Sequence, residues 1–162
     1  MEVIKKISTV NRYSDLTELN ESDMDLLKQA KEAVHSAYAP YSKFHVGCAV
    51  LLENGEIILG SNQENMAYPS GLCAERVAIF HAGSKFPNIP IVALAVTVKA
   101  TDYLVKEPIA CCGACLQSMS EFEMKFNKPM RIILQGEVGD VLIAEGVKVF
   151  LPFQFWLEEL KK

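Results

Sequence analysis

The chain of 162 residues contains no uninterrupted apolar run approaching the ~20 residues needed to span a bilayer. The opening MEVIKKISTVNRYSDLTELNESD has no apolar core of signal-peptide length and no small-residue cleavage site. These two absences predict a cytoplasmic protein without a membrane partner, in a compartment that keeps thiols reduced. Lys and Arg are nowhere clustered and the net charge is −4, so no nucleic-acid partner is expected, because phosphate contacts need gathered basic residues. No repeat, low-complexity tract or Pro/Gly/Ser linker divides the chain. At this length one domain with its own core is expected.

What is present is cysteine. There are five, an odd number that does not suit a secreted disulfide framework, and four lie in GLCAERVAIF (Gly71–Phe80) and CCGACLQ (Cys111–Gln117). Clustered thiols in a reducing compartment point to metal or catalysis. Zinc takes thiolates in a tetrahedral shell. Cys112 and Cys115 stand three apart, on one face of a helix, and Cys73 begins a separate helix that can supply a third sulfur. Helix N-termini carry partial positive charge, which lowers thiol pKa values and favours an anionic cluster. Three protein ligands leave a position for water, as catalytic zinc sites do. Cys111 is an alternative fourth ligand that would close the site, although adjacent residues seldom reach one ion together. Cys48, inside a strand, reads as a small buried hydrophobe. Glu75 follows Cys73 by two residues. Taken alone it is a first-turn glutamate favoured by the helix dipole; beside a metal site it is a general acid and base.

Residues 1–20 mix polar and apolar types without a period and read as an N-terminal extension; 21–162 read as a single domain. Ser22 is the expected cap of a helix whose apolar stripe runs Leu26, Leu27, Ala30, Ala33, Val34 and Ala37 and stops at Pro40. VGCAVLL and EIILG flank a hairpin turn at Asn54-Gly55. A second helix starts near Cys73 and ends around Gly83. IPIVALAVTV suits a strand buried on both faces. CGACLQSMSEFEMKF makes a third helix, with Leu116, Met119, Phe122 and Phe126 on one side, and PMRIILQG and GVKVFL supply further strands. This order predicts an α/β protein, a sheet with helices on its faces.

CAER followed by CGAC resembles the zinc nucleoside deaminases, and residues 22 to 155 resemble the short, homotetrameric cytidine deaminases. Cys in place of His at position 73 resembles their three-cysteine branch. The resemblance implies a three-layer fold with a central mixed sheet and helices on both faces. It implies one zinc ion per chain on Cys73, Cys112 and Cys115, with Glu75 carrying protons in the hydrolysis of cytidine and deoxycytidine to uridine and deoxyuridine, a step of pyrimidine salvage. YAPYSKFHVGCAV resembles the family's entry to its first strand and implies that Phe44 packs on the pyrimidine; alone, Phe44 reads as core. SNQENMAY resembles the ribose-binding segment, with Asn62 and Glu64 on a sugar hydroxyl. The Ala74 backbone N–H would hold the pyrimidine oxygen, Arg76 would offset thiolate charge, and Tyr68 and Phe155 would complete a neighbouring subunit's pocket in the homotetramer.

Two positions depart from the family motif P-C-G-x-C-R-Q: Cys111 replaces Pro and Leu116 replaces Arg. Three thiolates leave the metal centre anionic, so Leu116 shifts more of the compensation onto Arg76 and the helix N-termini. Two other readings stay open. One is a zinc deaminase of another aminopyrimidine nucleoside, such as blasticidin S. The other is a non-catalytic zinc module with Cys111 as fourth ligand. An acidic chain without a basic, aromatic-lined channel does not suit nucleic-acid editing.

Overall fold

A computed structural model describes residues 1–157 and Leu160. Strand β1 (Asn11–Tyr13) lies within the N-terminal segment and is followed by helix α1 (Glu21–Ala33). The cap of α1 is Asn20 rather than Ser22: its side-chain oxygen accepts from the Asp23 N–H at 2.8 Å, and its Nδ2 donates to the Asp23 carboxylate at 2.8 Å. An amide makes that reciprocal pair, which leaves Ser22 inside the first turn. The hairpin of β2 (Phe44–Leu52) and β3 (Ile57–Ser61) turns at Gly55, whose φ of +86° is open to glycine. Helix α2 (Ala74–Lys85) runs two residues past the expected Gly83, and β4 (Ile91–Ala100) follows. Helix α3 (Gly113–Phe126) ends at Asn127 in the left-handed region, and β5 (Arg131–Gln135) and β6 (Val141–Glu145) complete the sheet.

GVKVFL is not a strand. Gly146 at φ +90° breaks the run after β6, and Val147–Val149 form a 3-10 turn. That turn is held from α3, where the Glu123 carboxylate accepts from the backbone N–H groups of Met130 and Val147 at 2.8 and 3.0 Å.

The strand order is β1-β6-β5-β4-β2-β3, with β4 and β5 parallel and the other pairs antiparallel. The alternation of strand side chains divides the core in two. On one face α1 sets Leu26, Leu27 and Ala30 against Ala49, Ala95, Ile133 and Ile143. On the other, Ala78, Ile79 and Met119 of α2 and α3 meet Val50, Leu94, Ile132 and Leu134. The expected three-layer α/β arrangement with a mixed sheet is therefore borne out, and β4, between β5 and β2, is apolar along both faces as anticipated.

This topology places the site. Because β2 is antiparallel to both β3 and β4, those two strands run the same way and end on one side of the sheet. The helices that follow them, α2 and α3, therefore begin on that side, where open α/β sheets bind ligands. Gly60 of β3 lets α2 lie close, since a Cβ there would meet Ala74 O and Ala78 N at 2.5 Å.

A buried acid ties α1 to the sheet. Asp23 is 3% exposed, and its carboxylate accepts from Arg131 Nε at 3.0 Å and Nη2 at 2.8 Å, while Arg131 also pairs with Glu145. Asp23→Ala is expected to cost about 2 kcal/mol. That is below the cost of orphaning a fully buried charge, since Arg131 keeps Glu145 and some solvent. Urea unfolding should show a lowered midpoint with an unchanged slope.

Among the described residues no helix is long and apolar enough to cross a membrane.

Candidate active site

Cys73 and Cys112 occupy equivalent places, each the residue before a helix begins, with extended backbone (φ −70°, ψ 154° and φ −68°, ψ 160°). Cys115 lies in the first turn of α3 and is fully buried. Because both helices start on one side of the sheet, the three sulfurs come within 4.8 Å of one another, with Cys73–Cys112 at 3.8 Å and Cys112–Cys115 at 3.5 Å. A tetrahedral ion ~2.3 Å from each sulfur needs sulfurs about 3.8 Å apart, so this donor set fits zinc.

The surrounding charges are arranged to suit. Cys73 is pulled down to about 5, first by its hydrogen bond with Cys115 and then, against burial, by the Arg76 guanidinium, whose Nη2 donates to its sulfur at 3.8 Å. Cys115 is pushed up by that same hydrogen bond and by burial. Glu75 is only 4% exposed; burial raises its carboxyl above the ordinary carboxylate range, and the charge on Cys73 adds to this. Hydrogen bonds from Cys111 and Cys115 oppose that rise.

A cavity of about 540 Å³, of small-molecule size, opens beside the sulfurs and is lined by Tyr41, Asn62, Glu64, Tyr68, Cys73 and Arg76 among others. Glu64 Oε2 accepts from the backbone N–H of Tyr41 at 2.9 Å and of Ser42 at 3.2 Å. Hydrogen bonds from Ser42 and these backbone groups outweigh desolvation and hold its carboxyl below the usual value. The Asn62 amide bridges to β2, its oxygen accepting from Val46 N–H at 2.8 Å and its Nδ2 donating to Phe44 O at 2.9 Å.

The comparisons with known proteins point one way. The sequence model described as "Cytidine and deoxycytidylate deaminase zinc-binding region" matches residues 20–127. The chain belongs to this deaminase family. It is 38% identical over 135 residues to a cytidine deaminase of Halalkalibacterium halodurans, covering 83% of this chain and 95% of that one. It is 40% identical over 135 residues to one from Sporosarcina psychrophila, covering 83% and 92%. The crystal structure of a cytidine deaminase from Burkholderia pseudomallei superposes with a TM-score of 0.71 at 34% identity, over 85% of this chain and all of that one.

Within this deaminase the expected site residues are placed unevenly. Cys73, Cys112, Cys115, Glu75 and Arg76 come together, and Asn62, Glu64 and Tyr68 line the adjoining cavity. Ala74 is the buried first residue of α2, between Cys73 and Glu75. Phe44, at the start of β2, is partly buried against Val98, Ala100 and Val105 and is not among the residues lining the cavity. Phe155 lies on the C-terminal segment, 71% exposed, and does not line the cavity of its own chain.

The two departures from the family motif have different surroundings. Cys111 is buried and outside the three-sulfur group; its thiol is pushed up first by burial and then by Glu75. Leu116 is 5% exposed in the core beneath α2 and α3. Sequence reasoning missed Tyr41 and Ser42, whose N–H groups hold Glu64. Their only signal is Pro40, the expected stop of a helix that instead ends at Ala33 and passes through a 3-10 turn at Val34–Ser36.

Proposed function

We propose that this chain is a zinc-dependent hydrolase that deaminates cytidine and deoxycytidine to uridine and deoxyuridine, releasing ammonia. The observation that carries this reading is Glu75, a buried carboxyl with a raised pKa, next to a three-sulfur group of zinc dimensions at the wall of a nucleoside-sized cavity. Cys73, Cys112 and Cys115 hold one zinc ion per chain. When bound, zinc lowers the pKa of water to near 7 and makes it a nucleophile for the amine-bearing ring carbon.

The chain's own groups do the rest. Glu75 takes the first proton released from water and gives it to the ring nitrogen beside that carbon. It then takes the second proton, from the hydroxyl added at the carbon, and gives it to the amino group, which leaves as ammonia as the C–N bond breaks and the C=O bond forms. Burial supports this by bringing its proton affinity nearer to neutral pH. Arg76 counters the thiolate charge. The Ala74 N–H, at the start of α2, meets the pyrimidine oxygen. Asn62 spends its oxygen and one N–H on β2, which leaves its second N–H to donate to a sugar hydroxyl, while Glu64 Oε1 can accept from one.

The working particle in this reading is a homotetramer, in which the exposed Phe155 completes a neighbour's pocket and Tyr68, which already lines the cavity of its own chain, extends to a neighbour's as well. Residues 21–162 form its catalytic domain and 1–20 an extension. Five cysteines, none in a disulfide, fit a cytoplasmic location.

The test is ultraviolet absorbance on mixing zinc-loaded protein with cytidine or deoxycytidine. A prompt fall is expected with each. No change, with one zinc bound per chain, would leave the two other readings, a deaminase of another aminopyrimidine nucleoside and the non-catalytic module.

A further inference from the structure

Gln117 projects from α3 two residues after the buried sulfur of Cys115. Its side-chain amide reaches a segment 38 positions away. Nε2 donates to the Phe155 carbonyl at 3.0 Å, and Oε1 accepts from the Phe155 N–H at 3.2 Å. An amide that gives and receives with one residue's backbone copies the pairing of a β ladder, and it fixes position and orientation together. The chain around Phe155 has no regular secondary structure, and its aromatic side chains are largely exposed: Phe153 is 68%, Phe155 71% and Trp156 46% accessible. Such a segment has much conformational freedom to lose.

We propose that Gln117 is a positioning residue for catalysis. Its amide clamps the backbone of Phe155 to α3, so that the C-terminal aromatic segment and the helix carrying two of the three sulfurs hold one fixed relation. This rests on the reading that Phe155 contributes to a substrate pocket. It adds a cause for the placement of Phe155 that the side chain itself does not supply: the ring is exposed, so packing within its own chain does not hold it. Substrate affinity should therefore depend on Gln117 although Gln117 does not line the cavity.

Trp156, the chain's single tryptophan and the neighbour of Phe155, reports on the clamp directly. In zinc-loaded full-length protein, Gln117→Ala should increase acrylamide quenching of Trp156 and raise KM for cytidine roughly tenfold, the scale of two solvent-competing hydrogen bonds. The kcat should stay within about twofold, and zinc content and thermal midpoint should hold, since α3 keeps its buried face. Gln117→Glu keeps the acceptor and loses the donor, and should fall between. Unchanged quenching in Gln117→Ala overturns the clamp. Raised quenching with unchanged KM overturns the positioning role. Phe155→Ala separates the premise from the inference. If Phe155→Ala alone raises KM, the premise stands and Gln117 is refuted on its own account; if Phe155→Ala leaves KM unchanged, the reading of Phe155 fails.

Discussion

Glu75→Gln will lower kcat for cytidine by about a thousandfold while the protein keeps its zinc. The substitution preserves shape and hydrogen-bonding length at a side chain that is 4% exposed, so the packing of α2 is not disturbed. What it removes is the ability to accept a proton from water and return it, a role worth roughly 10²–10⁴ in rate. The three sulfurs are untouched, so metal content by atomic absorption should match the wild type. Stability should move the other way. The folded carboxyl sits above its ordinary 4.5 because burial penalises the charge. A raised acid is most stabilising when protonated, and that contribution is lost as pH climbs through the folded value. The neutral amide escapes the loss, so the variant's advantage in thermal midpoint should widen above the ordinary carboxylate range. Turnover within tenfold of wild type would mean that another group moves the proton.

Gly60→Ala is the second large effect, and it acts at a distance from the chemistry. The added Cβ would stand 2.5 Å from Ala74 O and Ala78 N and 2.9 Å from Ala78 Cβ. Most of these neighbours are helix backbone, with no flexible end to swing aside. Either α2 lifts from β3 or the strand tilts, and overpacking of this kind costs about 1–3 kcal/mol. Cys73, Ala74, Glu75 and Arg76 travel with that end of α2. A misplacement of ~1 Å can cost about a hundredfold, so kcat/KM should fall by that order. Gly113→Ala is the matched control in the first turn of α3: nothing lies within 4 Å of its Cβ, and the melting temperature should hold or rise. Equal behaviour of the two variants would refute the close-approach argument.

The parts of this architecture that were legible in the sequence are those set by local spacing. C-x-x-C puts Cys112 and Cys115 on one helical turn whatever surrounds them, and the continuous apolar run Ile91–Ala100 has few fates besides a central strand. Misreadings occurred where a single backbone dihedral or a distant partner decided the outcome. GVKVFL has strand composition, but Gly146 at φ +90° turns the chain before it. Asn20 outcompetes Ser22 as cap because its amide bonds Asp23 from two sides. Strand β1 is three residues long and exists through pairing with β6, some 130 positions later, so no periodicity announces it. The Gln117–Phe155 clamp is a side chain meeting a backbone 38 residues away, a contact that composition does not encode.

Cys73 and Cys112 hold the two helix-cap positions without making a side-chain cap hydrogen bond, in contrast to Asn20 at α1. Ser, Asp or Asn there would improve each helix start by about 1 kcal/mol, so stability alone favours replacing both sulfurs. Thermostability engineering that scores folding without the reaction would select those substitutions early. Positions 73 and 112 thus carry a conflict of selection pressures, and a stabilised variant of this deaminase must be sought with both held constant.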